Sequence, residues 1–240
     1  MENVIVVGMG QVGSALSHLL KSGGMKVYEL DVKWRDILSD IDVMHICYGY
    51  SDEFVDITCG YMDKLDPNLT IVNSTVIPGT IRKIFEDTNR PIVFSPVRGQ
   101  HNSLDKDLMR YTKWIASPKE EHALNAVNHF KTIGIKTLVT DNLENLELIK
   151  LLDTTHYGIN IFYAQLANRI CKEFNVNHKS LREFGKETQE FYGMRPDCFP
   201  GVIGGKCVMP NIRLLSKIYD HELWNLIETS NKLRKEELKK

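Results

Sequence analysis

The chain has 240 residues, 42% hydrophobic and 25% charged, with a formal net charge of -1. Such values fit a soluble globular protein of one large or two small domains. They exclude the basic face of a nucleic-acid binder, and no apolar run approaches the roughly 18 residues of a helical membrane span.

The five cysteines (Cys47, Cys59, Cys171, Cys198 and Cys207) are odd in number and lack a C-x-x-C pair. That argues against a disulfide framework or a metal site and for a reducing compartment. Residues 1–7 run directly into a strand without a charged leader, so a cytoplasmic location is expected.

The first 140 residues alternate strand and helix patterns. Val4–Val7 is a continuous apolar run, as in a buried parallel strand, and residues 11–21 carry apolar positions at helical spacing. Further strands are expected at Lys26–Leu30, Val43–Cys47, Leu69–Asn73 and Pro91–Phe94, with Lys113–Ala116 and Lys136–Val139 extending the sheet. Helices are expected at about 52–65, 79–88 and 119–133. This order predicts an α/β fold, a Rossmann-type doubly wound parallel sheet.

From Asn142 to Phe174 the chain has no proline, one glycine and sustained apolar periodicity, which predicts one long helix. A helix at 178–191, an irregular loop from Gly193 to Pro210 and two final helices complete an all-helical domain. The expected division is 1–141, binding a cofactor, and 142–240, helical and mediating dimerisation.

Gly8-Met9-Gly10-Gln11-Val12-Gly13 follows the first strand and opens the first helix. Gly8 permits a tight turn, Gly10 a close approach to pyrophosphate, and Gly13 close helix–strand packing. The N–H groups at Gln11, Val12 and Gly13 would face the phosphates. Asp31, ending the second strand, can accept from both ribose hydroxyls and repels a 2′-phosphate, so NAD is the expected cofactor. Lys33 and Arg35 pull toward NADP. Arg98 and His101 lie just beyond the fifth strand, on the ligand side of such sheets. Gly204 and Gly205 precede Cys207 in a loop that lets substrate approach a candidate nucleophile.

With these residues in view, the chain resembles the UDP-glucose/GDP-mannose dehydrogenase family across that family's first two domains; its third, nucleotide-sugar-binding domain lies outside these 240 residues. Ile46-Cys47-Tyr48-Gly49, Asn73–Thr80, Glu147-Leu148-Ile149-Lys150 and Gly204-Gly205-Lys206-Cys207 carry the likeness, in the family's order. It implies oxidation of a sugar CH–OH group with NAD through a thiohemiacetal and thioester on Cys207. Lys150 would stabilise negative charge on oxygen, while Tyr48, Ser74 and Thr75 would line the cofactor site. It also implies a homodimer paired through the long helix and a sugar or nucleotide-sugar substrate.

The chain departs from the pattern at Thr154, where the family has asparagine four residues after its lysine, and at Asn211, where it has aspartate. Both positions, with Arg98, Gly204 and Gly205, form the candidate substrate set. An asparagine cannot serve as a carboxylate base. Other readings therefore stay open: a catalytically reduced NAD-binding or partner-dependent module, or a two-domain hydroxyacid-type dehydrogenase in which Cys207 is incidental. Lys150 could equally pair with Glu147, three residues before it.

Overall fold

The computed structural model describes residues 2–31, 40–99, 103–193, 198–205 and 207–239; Lys33, Arg35, His101 and Lys206 fall outside them. Five parallel strands build the central sheet: β1 (Asn3–Val7), β2 (Lys26–Leu30), β3 (Val43–Ile46), β4 (Leu69–Val72) and β5 (Ile92–Phe94). Their order is β2-β1-β3-β4-β5. Val4 sits opposite Val27 on one side and Val43 on the other, so three valines share one rung.

Helices α1 (Gln11–Ser22), α2 (Phe54–Leu65) and α3 (Thr80–Thr88) connect these strands. Both faces of the sheet are buried, which explains why its strands read as apolar runs rather than alternations. Ile5, Val7, Met44 and Ile46 pack with Phe54, Ile81 and Ile84 on one face. On the other, Val4, Val6, Val43 and Ile71 pack with Leu16, Leu20 and Phe130. The strand order reverses between β1 and β3, so ligands are expected beyond the carboxyl ends of those strands.

One sequence expectation needs correction. Residues 113–116 and 136–139 do not lengthen the parallel ladder. β6 (Lys113–Ile115) and β7 (Thr137–Val139) pair with each other in a separate two-stranded sheet, with α5 (Glu120–Thr132) between them. Their link to β5 is an antiparallel bridge between Phe94 and Ala116, with N–H···O distances of 2.8 and 3.0 Å. A short helix that periodicity did not reveal, α4 (Leu104–Arg110), precedes β6, and the chain then meets β5 in the opposite sense.

The remaining helices are α6 (Leu143–Glu173), α7 (His178–Tyr192), α8 (Val208–Ile218) and α9 (Glu222–Glu237). The chain divides into two compact units, Met1–Lys150 and Leu151–Lys240. The first turns of α6 belong to the first unit because Leu143 and Leu146 join its core.

In the second unit, Ile203, Val208, Met209, Ile212 and Ile227 form a core with Ile159 and Phe162 of α6. Gly158, the lone glycine of α6, lets α8 come close: a Cβ there would lie 2.8 Å from Val208 Cγ1 and 3.0 Å from Ile212 Cδ1. The irregular loop is shorter than its proline suggested. Pro210 falls in the first turn of α8, where a missing N–H leaves no helical bond unmade.

Candidate functional site

The glycine turn is imposed by close backbone contacts. Gly8 adopts φ +94°, donates its N–H to Leu30 O at 2.8 Å, and would place a Cβ 2.6 Å from Tyr48 N. A Cβ on Gly13 would collide with the Gly8 carbonyl oxygen. Gly10, at the N-cap of α1, has open space where its Cβ would project. That helix has no side-chain cap and no acidic residue in its first turn. Its first intrahelical bond is Ser14 N–H to Gly10 O, so the N–H groups of Gln11, Val12 and Gly13 lie ahead of the helical ladder. The turn therefore fits a dinucleotide pyrophosphate: backbone donors, a positive helix end and room to approach. Asp31 is exposed immediately after β2.

Tyr48 and Ser74 knit the carboxyl ends of β3 and β4 together. Thr58 Oγ1 donates to Phe54 O at 2.7 Å, so the 2.6 Å contact between Tyr48 and Thr58 is donated by the tyrosine. The Tyr48 ring packs on Phe54 with centroids 5.1 Å apart, and burial pushes its hydroxyl pKa upward. Its hydroxyl thus faces the core, and its backbone forms the site edge. Tyr48 O accepts from Ser74 Oγ at 2.5 Å, and half-buried Thr75 follows.

Glu147 reaches from α6 to the start of α3. Its buried carboxylate accepts from Gly79 N at 2.6 Å and Ile81 N at 3.0 Å, capping α3 across the sequence. Those otherwise unsatisfied helix-end amides attract a buried carboxylate. Burial nevertheless raises the Glu147 pKa to about 7.

Arg98 Nη2 donates to Thr112 O at 2.7 Å, and its guanidinium lies 5.4 Å from the Tyr111 ring centroid, so much of its bonding braces the loop before β6. Beside it Lys113, 5% exposed, donates to Ser95 O at 2.7 Å. Among the described residues no carboxylate forms an ion pair with Lys113, and burial lowers its pKa to about 7; Lys150 and Arg98 push the same way. Burial holds the Cys47 thiol at about 12, which keeps it protonated and inert.

In the second unit, Cys207 is the N-cap residue of α8, and its carbonyl accepts from Asn211 N at 3.0 Å. Asn211 is buried, and Gly204 and Gly205 are exposed on the loop before it. Two side chains that sequence reasoning missed hold this loop. Asn231 accepts from Ile203 N at 2.7 Å and donates to Ile203 O at 3.0 Å, imitating a strand partner. Gln165 donates to Gly201 O at 2.7 Å and accepts from Ser230 Oγ at 2.7 Å. A cleft of about 590 Å³ beside the loop is lined by Gly204, Gly205, Arg213, Lys232 and Lys235, among others. Lys150 and Thr154 are one turn apart on α6, the former ending the first unit and the latter in the second.

A parallel sheet with a glycine turn at its reversal point, followed by helices on one long helix, is a Rossmann-like dehydrogenase fold with a helical domain. No protein-family model matches the chain. The relatives make the class more particular. UDP-N-acetyl-D-mannosamine dehydrogenases from two strains of Methanococcus maripaludis are 28% and 30% identical over 145 and 146 residues, 60% of this chain. The matched stretch spans only 33% of each of those proteins. In fold, a UDP-D-ManNAc dehydrogenase from Pyrococcus horikoshii superposes with a TM-score of 0.80 at 18% identity, covering 97% of this chain and 68% of that one. A 3-hydroxyisobutyrate dehydrogenase from Mycobacterium tuberculosis reaches 0.70 at 14% identity, covering 98% and 93% respectively. The resemblance to the UDP-sugar and GDP-mannose dehydrogenases therefore holds in sequence and in fold.

Proposed function

We propose that the chain acts as an NAD-dependent oxidoreductase on the CH–OH group of a sugar or nucleotide sugar. The observation that carries this reading is the glycine turn, where Gly8 and Gly13 are sterically required and the uncapped start of α1 faces outward. The N–H groups of Gln11, Val12 and Gly13 would hold the pyrophosphate and Asp31 the ribose hydroxyls. Ser74 and Thr75 would border the nicotinamide end. Two equivalents of NAD, bound there in turn, would supply one hydride acceptor for each of the two oxidations.

Lys150 would stabilise negative charge on the substrate oxygen. The Cys207 thiol would add to the aldehyde carbon, giving a thiohemiacetal whose oxidation product is a thioester. Water would open the thioester, releasing the acid and restoring the thiol. Asn211 cannot serve as a carboxylate base, so that hydrolysis is the step this reading expects to limit turnover. Thr154, Arg98, Gly204 and Gly205 complete the proposed substrate set.

A homodimer is part of the same reading. Tyr163, Leu166 and Ile170 form an exposed stripe along α6, with exposed Phe174 just past its end, and Leu181, Phe184 and Phe191 form another along α7. Contiguous apolar faces of this kind mark association surfaces. The scattered free cysteines suit a cytoplasmic setting.

The test follows NAD reduction with UDP-sugars, GDP-sugars and simple sugar alcohols, using the intact protein and Cys207→Ala, with NADH titrated into both. Acid formation should vanish in the variant while NADH binding persists. Acid formation that survives overturns the thiol route, and NADH binding without turnover favours a catalytically reduced module. The near-complete mutual coverage with the hydroxyisobutyrate enzyme supports a second reading, a two-domain hydroxyacid-type dehydrogenase. Turnover of small hydroxyacids that is indifferent to Cys207→Ala would select it.

A further inference from the structure

A string of polar side chains crosses one apolar layer of the first unit. Glu2 Oε2 accepts from His129 Nδ1 at 2.8 Å, His129 Nε2 lies 2.9 Å from His45 Nε2, and His45 Nδ1 lies 3.1 Å from Asn73 Nδ2. His45 is 0% exposed, His129 2% and Asn73 3%. The outer end, Glu2, precedes β1; the inner end, Asn73, directly precedes Ser74 and Thr75.

The direction of every bond follows from the inner end. Asn73 Nδ2 also donates to Ile71 O at 3.1 Å, so the amide nitrogen rather than the oxygen faces His45. His45 Nδ1 must then accept, which puts that ring's proton on Nε2. His129 Nε2 in turn accepts, leaving the His129 proton on Nδ1, directed at the Glu2 carboxylate. The string thus holds two ring protons and has no place for a third. A proton on His129 Nε2 would confront the His45 N–H across 2.9 Å. One on His45 Nδ1 would confront the Asn73 amide.

The surroundings offer no relief. His45 faces His129 from α5, Asn73 from just past β4 and the amine of Lys113 from β6, while the Phe130 ring packs 5.9 Å away. Burial, with the charges of His129 and Lys113, holds the His45 pKa well below its ordinary value.

We propose that Glu2, His129 and His45 are positioning residues for the Asn73–Ser74–Thr75 edge, and that their string is a latch whose stabilisation of the fold is lost on mild acidification. Its effect on cofactor rests on the NAD reading above; the latch itself does not. The folded state resists a proton that the unfolded chain accepts near pH 6.5. This contribution is therefore complete above that pH and is lost as pH falls, about tenfold in the folding constant per pH unit. Other groups titrate nearby, Glu147 in the opposite sense, so the measurement is a difference from His45→Gln. That variant removes the ring that refuses the proton, and Glu147 is unchanged.

The experiment uses the intact chain. Nitrogen NMR of the wild type at pH 7.5 should find the proton on Nε2 of His45 and on Nδ1 of His129; the opposite tautomer in either ring overturns the latch. This arm stands even if His45→Gln does not fold. In urea unfolding between about pH 7.5 and 5, the ratio of wild-type to variant folding constants should fall about tenfold per pH unit below 6.5. A constant ratio overturns the latch. NADH affinity should be about tenfold lower in the variant than in the wild type at both pH 7.5 and pH 5.5. Equal affinities in the two proteins overturn the positioning role. NADH that binds neither protein at either pH removes the cofactor reading and the positioning role with it, while tautomers and folding still decide the latch.

Discussion

The two units build their candidate sites from opposite materials. The first presents backbone: the turn at Gly8–Gly13, the amides opening α1 and the strand ends held by Ser74 Oγ. The second presents an irregular loop before Cys207, shaped by side chains reaching in from distant helices. A backbone site is specified by residues that must be small, and local spacing announces it. A side-chain-braced loop is specified by polar groups whose partners lie far along the chain. The first type should fail through added atoms and the second through removed ones.

Asn231→Ala is the sharpest test of that contrast. It strands both Ile203 N–H and Ile203 C=O, and Ile203 is buried. At about 1–3 kcal/mol for each unsatisfied group, the loss should be about 2–6 kcal/mol. Urea unfolding measures it, and a cost below 1 kcal/mol would show that the loop holds itself.

Glu147→Gln probes a side-chain brace inside the first unit. The folded Glu147 pKa of about 7 stands above the reference 4.5. Its favourable contribution is therefore complete below pH 4.5 and is lost as pH rises through about 7. The glutamine cannot ionise, so the wild type should lose up to about 3 kcal/mol relative to the variant across that window. Parallel stability curves would show that the two α3 amides outweigh burial.

The fold was largely legible because β1 to β5 and the longer helices repeat their chemistry along the chain. α4 was not, since Leu104–Arg110 is too short to display a period. The separate pairing of β6 with β7 was hidden for another reason: apolar content does not reveal strand direction. The glycine turn was legible because its geometry dictates residue type. Asn231, Gln165 and Glu147 were not; their backbone partners lie 28, 36 and 68 positions away. Two signals were nevertheless present. Glu147 sits four residues from both Leu143 and Leu151, on a buried stripe of α6, and His45 interrupts an otherwise apolar strand.

Within the backbone site, two glycines should separate folding from binding. Gly13→Ala drives a Cβ into the Gly8 carbonyl and should cost about 1–3 kcal/mol while abolishing NADH binding. Gly10→Ala meets nothing within 4 Å and should leave stability within about 0.5 kcal/mol while weakening NADH binding. Equal stability losses in both would place the clash outside the turn.

The smallest expected effect decides what Tyr48 contributes. Its hydroxyl is committed to Thr58 Oγ1, while its carbonyl takes the Ser74 bond at the site edge. Tyr48→Phe removes the first and keeps the second. Thr58 retains its own bond to Phe54 O, so no buried donor is orphaned and the loss should be only about 0.5–1.5 kcal/mol. NADH affinity, followed by fluorescence titration, should not change, because the cofactor edge at this position is main chain. A fall in affinity at unchanged stability would mean that the hydroxyl leaves Thr58 to meet the ligand, and the contrast between a backbone-built and a side-chain-built site would fail at this residue.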